Sequence, residues 1–349
     1  MKEKPIISVC IPVYNSERTL KRCLDSVFAQ DFDSFEIVLV NDGSTDRDED
    51  GLNCKKIVKS AQKAGKILRK KSGLSAVNFV YYEHGSNLGL LEARRTAVQY
   101  AGGEYICILD SDDVLLPDAL KNLYEAAKSS DADIVQGKTE VSCYNSSLDS
   151  ETEPKLKQVV LERYNNVYIG ELNGREVFDG FLVQQNHIGL LWAKLIRREV
   201  YLDALSLLPF TNLVMSEDFP QYFFISHKAS KYVGIDKAVY RYSIDTGISG
   251  NSQITDLARW ERICSNAIAF LIVFGAIKEL PENTFTNDEM EALRLQSRSY
   301  LADNLITLQK KVTEKLKPQA REMLCEYWGK DFVDTMEKVM EKAMNNSHG

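Results

Sequence analysis

The chain has 349 residues, more than one hydrophobic core usually serves, so one large domain with an appendage, or two domains, is expected. An apolar share of 44% and a charged share of 27% describe an ordinary soluble globular protein. The formal charge of −7 argues against a broad nucleic-acid surface, which needs a basic excess.

The opening "MKEKPIISVCIPVYN" has too short an apolar stretch for a signal peptide. Residues 6–12, rich in β-branched side chains, predict a strand that runs into the polar loop Tyr14-Asn15. Residues 16–30 place Leu20, Cys23, Leu24, Val27 and Phe28 at helical spacing, with Ser16 as the N-cap. A second strand, 35–41, stops at Asn41-Asp42-Gly43, which is turn chemistry. The lysine-rich stretch 47–73 has helical spacing at Ile57, Ala61, Ala64 and Leu68. A strand over 77–82, a helix over 88–101 and a strand over 104–109 follow.

Strands alternating with helices predict an α/β fold with a doubly wound, mostly parallel sheet. Ligands of such sheets bind beyond the carboxyl ends of the strands. The loops at Tyr14-Asn15, Asn41-Asp42-Gly43 and Asp110-Ser111-Asp112 should therefore meet at one crevice. After Pro117 the pattern predicts a helix over 118–128, a strand over 132–141 and a loop or hairpin over 142–170. A helical segment over 173–185 and a helix or strand-helix unit over 191–205 come next, then a helix over 216–230 and a strand over 231–243. Past Asp256 only helical periodicity remains, so a catalytic domain over 1–254 and a helical region over 255–349 are expected. The apolar run 267–277 falls short of the ~20 residues that cross a bilayer and reads as a buried helix.

The acids at 110–113 are the strongest chemical signal. Like charges this close repel unless something neutralises them. Two carboxylates at i and i+2 on a strand's end suit Mg²⁺ or Mn²⁺, whose remaining positions go to water and substrate phosphate. A helix N-cap would use only one of the acids. Gly89 at a helix start and Arg94 one turn further suit a diphosphate, although arginine is most often a solvated surface residue. Glu217 and Asp218 occupy a helix's first turn, where a carboxylate is stabilised as the anion, and Asp218 could serve as a general base. Seven scattered cysteines without a C-x-x-C pair read as free thiols of a reducing cytoplasm. No paired histidines, nucleophile elbow, P-loop or G-x-G-x-x-G is present, which disfavours hydrolase, NTPase and dinucleotide chemistry.

Taken in order, "ISVCIPVYNSERTLKRCLDSVFAQDFDSFEIVLVNDGSTD" and "NLGLLEARRTAVQYAGGEYICILDSDD" resemble the family-2 inverting glycosyltransferases of the GT-A fold. The likeness is dense over 5–118, looser at "LLWAKLIRREV", "MSEDFPQYFF" and "AVYRYSIDTGIS", and ends near 255. It implies a nucleotide-sugar donor, most often a UDP-sugar, and Mn²⁺ or Mg²⁺. By position it puts Pro12, Tyr14, Asn15 and Glu17 around the nucleoside and Asp42 on the base. Asp110 and Ser111 would lie at the nucleotide, with Asp112, beside Asp110, as the more direct metal ligand. Gly89, Arg94 and Lys194 would lie at the diphosphate, and Asp218, beside Glu217, would be the base. Asp113 is left to start the next helix. Where many relatives have Ala-Arg-Asn, this chain has Ala93-Arg94-Arg95, so the asparagine's role is lost or altered. The absence of a Gln-x-x-Arg-Trp motif favours transfer of one or a few sugars over polymerisation. The acceptor implied is a glycan or a lipid-linked sugar of bacterial surface polysaccharide or glycolipid synthesis. A catalytically inactive nucleotide-sugar-binding scaffold is the alternative. The tail would pack on its own domain, form a homodimer, or touch the inner face of the membrane from the cytoplasm.

Overall fold

The strands β1 (Ile7–Val13) and β2 (Phe35–Asn41) are buried along their whole length, as expected of central strands covered on both faces. They form one sheet with β3 (Asn78–Glu83), β4 (Tyr105–Ile108), β5 (Val114–Leu115), β6 (Ile134–Ser142), β7 (Gly170–Asn173), β8 (Lys194–Arg197) and β9 (Lys231–Ser243). The computed structural model describes residues 4–143, 152–244 and 253–346. Sheet order is β3-β2-β1-β4-β8-β6-β9-β5, with β7 paired to β9. The first four strands are parallel, and so are β6 and β9, whereas β8, β5 and β7 run antiparallel to their neighbours.

Helices α1 (Glu17–Phe28), α2 (Cys54–Lys71), α3 (Leu90–Tyr100) and α4 (Ala119–Ser130) lie between the early strands. Ile7, Val9, Ile11 and Val13 alternate toward the core that α1, α2 and α4 cover, together with Phe35, Ile37 and Leu39. Arg69 fastens the end of α2. Its buried guanidinium donates to the carbonyls of Gln30, Phe32 and Ser75 at 2.6–2.9 Å, which satisfies a charge that burial would otherwise penalise. The cysteines at 10, 23, 54 and 107 are free and buried, and burial pushes their thiols up.

The second half departs from the sequence reading. The stretch expected as loop or hairpin holds α5 (Thr152–Tyr164), although residues 144–151 lie outside the described set. The sequence hides α5 because its apolar residues do not collect on one stripe. The helix expected over 173–185 shortens to α6 (Glu176–Leu182) behind β7, and α7 (Arg198–Ser206) follows β8 directly. Helix α8 (Asp218–Lys228) precedes β9.

The chain divides into two compact units, Met1–Asn212 with Gln221–Ile248, and Leu213–Pro220 with Ser249–Gly349. The second is helical: α9 (Leu257–Cys264), α10 (Asn266–Lys278), α11 (Asn287–Lys311), α12 (Lys317–Trp328) and α13 (Lys330–Asn346). Its core gathers Trp260, Leu301, Leu305, Leu324 and Val333, with the Trp260 indole donating to the Ala320 carbonyl at 2.8 Å. A capping box between Thr286 and Glu289 starts α11. The amphipathic face of α13 buries Val333 and Met336 in this helical core. Taken together, α9 and α10 make one stretch, Leu257–Lys278, long and apolar enough to cross a membrane. Half of its most apolar eighteen-residue window is buried.

Candidate active site

Parallel pairing of β3, β2, β1 and β4 brings the loops after all four strands to one edge of the sheet. There they are tied to one another. Asn15, in the left-handed conformation (φ 50°), accepts from the amides of Thr45 and Asp46 and donates its own amide to Ser44. Ser16 sits at the N-cap position of α1 but makes no cap bond. Its hydroxyl lies 2.6 Å from that of Ser111. The Thr19 hydroxyl donates to the Ser111 carbonyl. Gly43 (φ 73°) passes so close to Ser86 and Asn87 that a Cβ would stand 2.7 Å from backbone, so only glycine fits there.

Asp42 is buried, and its carboxylate accepts from the amides of Leu88 and Gly89 at 2.9 Å and faces His84 Nδ1 at 2.6 Å. The His84 ring reaches Thr96 with its other nitrogen. Asp42 therefore braces the loop that begins α3, where Gly89 (φ 96°) occupies the N-cap position. The sequence reading passed over His84; its signal was its position one residue past the end of β3, on the ligand edge. Pro12 is buried in β1 while Tyr14 is half exposed. Glu17 is only 2% exposed, and among the described residues neither carboxylate oxygen makes a well-formed hydrogen bond, although the backbone amides of Glu17 and Cys54 lie near enough to favour its charged form. Burial, reinforced by Asp46, raises its pKa above the usual carboxylate range.

The three aspartates separate into different environments. The Asp110 carboxylate takes a 3.0 Å bond from Arg94, whose guanidinium is buried rather than solvated. Asp113 is 1% exposed and accepts from the Tyr240 hydroxyl and the Ser243 amide, each at 2.7 Å. It does not start a helix: β5 follows it, and α4 begins only at Ala119. Burial, then Asp112 and Asp110, pushes its pKa well up. Tyr240 also accepts from the Asp110 amide, and its ring stacks on Trp192 at 4.9 Å. Arg22 of α1 donates to the Asp112 carbonyl and the Ser243 hydroxyl, fixing the loop's backbone from the other side. Asp112 itself is half-buried.

Among the described residues no three His, Cys, Asp or Glu side chains form a ready-made metal cage. Mg²⁺ and Mn²⁺ do not require one, because one or two carboxylates suffice where substrate phosphate completes the shell. Asp112 beside Asp110 fits that donor set.

Arg95, standing where relatives carry asparagine, has a structural task. It pairs with Glu92 and donates to the carbonyls of Leu205, Leu208 and Pro209, holding the chain after α7 against α3. Lys194 is fully buried, donating to the Leu190 carbonyl at 2.5 Å and lying over the Tyr222 ring. Its neighbour His187 stacks on Tyr232 and is pushed down to about 3 by burial and by the Lys194 charge. The histidine thus folds neutral, and unfolding below its ordinary pKa of about 6.5 takes up a proton. His187 should cost the folded state about 2 kcal/mol by pH 5, a loss absent at pH 8. Urea unfolding of His187→Phe across that range should show a flatter decline than the parent; parallel curves would refute it. Glu217 is buried and Asp218 half-buried at the start of α8, where Ser216 turns the chain in the left-handed conformation (φ 64°).

A mostly parallel sheet flanked by helices, with acid-bearing loops tied together at its carboxyl edge, is the architecture of the GT-A type. The model of glycosyl transferase family 2 matches residues 8–198, more than half of the chain, and the protein belongs to that family. Glycosyltransferase GlyA of Streptococcus pneumoniae is 35% identical over 131 residues, 38% of this chain and 16% of its own. The glycosyltransferase EpsJ of Bacillus subtilis is 27% identical over 240 residues, 68% of this chain and 61% of its own. The poly(ribitol-phosphate) beta-glucosyltransferase of Bacillus spizizenii is 32% identical over 188 residues, 52% and 26% of the two chains. The chain spans less than two thirds of the length of these relatives. The crystal structure of S. aureus TarS 1–349 shares the fold, with a TM-score of 0.52, 18% identity and coverage of 97% and 92%. So does the mannosyltransferase PcManGT from Pyrobaculum calidifontis, solved with GDP-Man and Mn²⁺, at a TM-score of 0.50, 15% identity and coverage of 99% and 88%.

Proposed function

We propose that the protein transfers a sugar from a nucleotide-sugar, a UDP-sugar first, to a hydroxyl of a glycan or lipid-linked acceptor, with inversion at the anomeric carbon. The observation that carries this reading is the set of four strand-end loops, bonded to one another and bearing Asp42, Asp110 and Asp112 at one edge. The nucleoside would lie against Tyr14, Asp42 and the buried carboxylate of Glu17, which suits a ligand that brings hydroxyl donors. Asp112, with Asp110, would hold Mn²⁺ or Mg²⁺. The bound cation supplies charge stabilisation for the departing diphosphate. Asp218 takes the proton of the acceptor hydroxyl as its oxygen attacks. Solved neighbours of this fold were obtained with UDP, with UDP-GlcNAc, and with GDP-Man and Mn²⁺, which supports a nucleotide-sugar without choosing the base. A relative named as a poly(ribitol-phosphate) beta-glucosyltransferase supports surface-polymer synthesis as the setting.

A thermal-shift screen of UDP-, GDP- and dTDP-sugars, each with and without Mn²⁺, tests the reading. One donor should raise Tm by several degrees only with metal present. Transfer from that donor to a hydroxyl acceptor should follow. A protein that no nucleotide-sugar stabilises under either condition would overturn the proposal.

A further inference from the structure

Helix α2 concentrates charge in a way its folding does not require. Its eighteen residues hold seven lysines and an arginine and no acid, in a chain whose formal charge is −7. Lys55, Lys56, Lys59, Lys63, Lys66, Lys70 and Lys71 are all exposed. Among the described residues, none of these seven ammonium groups is in an ion pair. At 100° per residue they fan across the half of the helix opposite its buried stripe of Ile57, Ala61 and Gly65. Lysines in the last turn complement the helix dipole, but Lys55 and Lys56 in the first turn oppose it. Local stability therefore does not explain the set.

Two further features limit what the face can bind. Ile67, 51% exposed, sits within the lysine fan, whereas Leu68, 44% exposed, lies 100° further round on the azimuth of the buried stripe. An exposed apolar side chain among lysines suits a surface with an apolar layer beneath its charges. A soluble polyanion offers nothing to it. The cations are also lysines, compact point charges without the forked geometry that reads individual phosphates. Acids at Asp46, Asp48, Glu49 and Asp50 precede the helix, so the positive field strengthens toward its C-terminal half, where Ile67 lies. Arg69 anchors that end to the domain through three carbonyls, so the face is rigidly presented.

We propose that the exposed face of α2 docks on an anionic lipid bilayer, its lysines at the headgroups and Ile67 in the interfacial layer. This is a different element from the C-terminal helices, and it requires no assumption about the reaction catalysed. Electrostatic docking of this kind weakens with salt, and each lysine at the surface contributes roughly fivefold in partitioning.

Co-sedimentation of the full chain with phosphatidylglycerol-containing vesicles, against phosphatidylcholine vesicles, tests it. Binding should be confined to the anionic vesicles. Lys59→Gln, Lys63→Gln and Lys66→Gln combined should weaken it on the order of 10²-fold. Ile67→Ser should weaken it severalfold and leave the residue of binding more salt-sensitive. All four positions are exposed and outside the candidate site, so the variants should keep the parent's Tm and donor-induced shift. Equal binding of parent and triple variant, or no binding to anionic vesicles, would overturn the proposal. So would indifference to Ile67→Ser with full competition by a soluble polyphosphate, which would mark the face as a polyanion site.

Discussion

Asp218→Asn should lower kcat by roughly 10²–10⁴ while leaving donor affinity within about twofold. The substitution keeps size and hydrogen-bonding reach, and asparagine is as good a residue as aspartate at the start of a helix. Helix α8 should therefore still form. What asparagine lacks is the ability to accept a proton at neutral pH. If Asp218 is the base, the loss appears wherever the acceptor must be deprotonated, and the acid limb of the pH–rate profile disappears with it. Donor binding rests on other residues, so the metal-dependent thermal shift should persist. Glu217→Gln is the control: beside a competent Asp218, its effect on kcat should be far smaller. A variant Asp218→Asn that retained near-full transfer would remove Asp218 from its proposed role. One that lost donor binding and turnover together would move it from proton transfer to positioning.

The halves of the fold differ in how openly the sequence displays them. Strands β1, β2 and β4 are short buried apolar runs that stop at or just before Asn or Asp, and β1, β2 and β3 are each followed by a helix. Their order and their shared ligand edge could be read directly. Beyond Ser130 those cues fail for physical reasons. Helix α5 has no coherent apolar stripe, and β8 is four residues long, so neither announces its period. The antiparallel pairing of β4 with β8 joins segments some ninety residues apart, which no local pattern encodes.

The site shows the same division. Motif spacing located the acids but not their partners. Arg94, for which a solvated surface place was the ordinary expectation, is buried against Asp110. Asp113, expected to begin a helix, instead receives Tyr240 from β9, 127 positions along the chain. Such contacts are set by tertiary packing, and one strand's alternation cannot reveal them. Lys194 was placed at the diphosphate on resemblance alone, whereas its ammonium is engaged with Leu190 and Tyr222.

These different environments make the aspartates separable by experiment. Asp112→Ala should abolish the metal-dependent part of the donor's thermal shift and cut turnover by on the order of 10³ or more. Asp112 is held through its backbone: Arg22 grips its carbonyl, and the flanking Ser111 and Asp113 are fixed by Ser16, Thr19, Tyr240 and Ser243. Removing its side chain leaves that frame standing. Asp110→Ala should behave differently, because it takes a carboxylate from the buried guanidinium of Arg94. A buried charged donor deprived of its acceptor costs about 1–3 kcal/mol, so this variant should lose stability as well as activity. The contrast distinguishes the proposed metal ligand from a merely structural acid. If Asp112→Ala lowered Tm as much as Asp110→Ala yet kept the metal-dependent shift, Asp112 would be a brace of the loop. The cation would then have to be held by other groups.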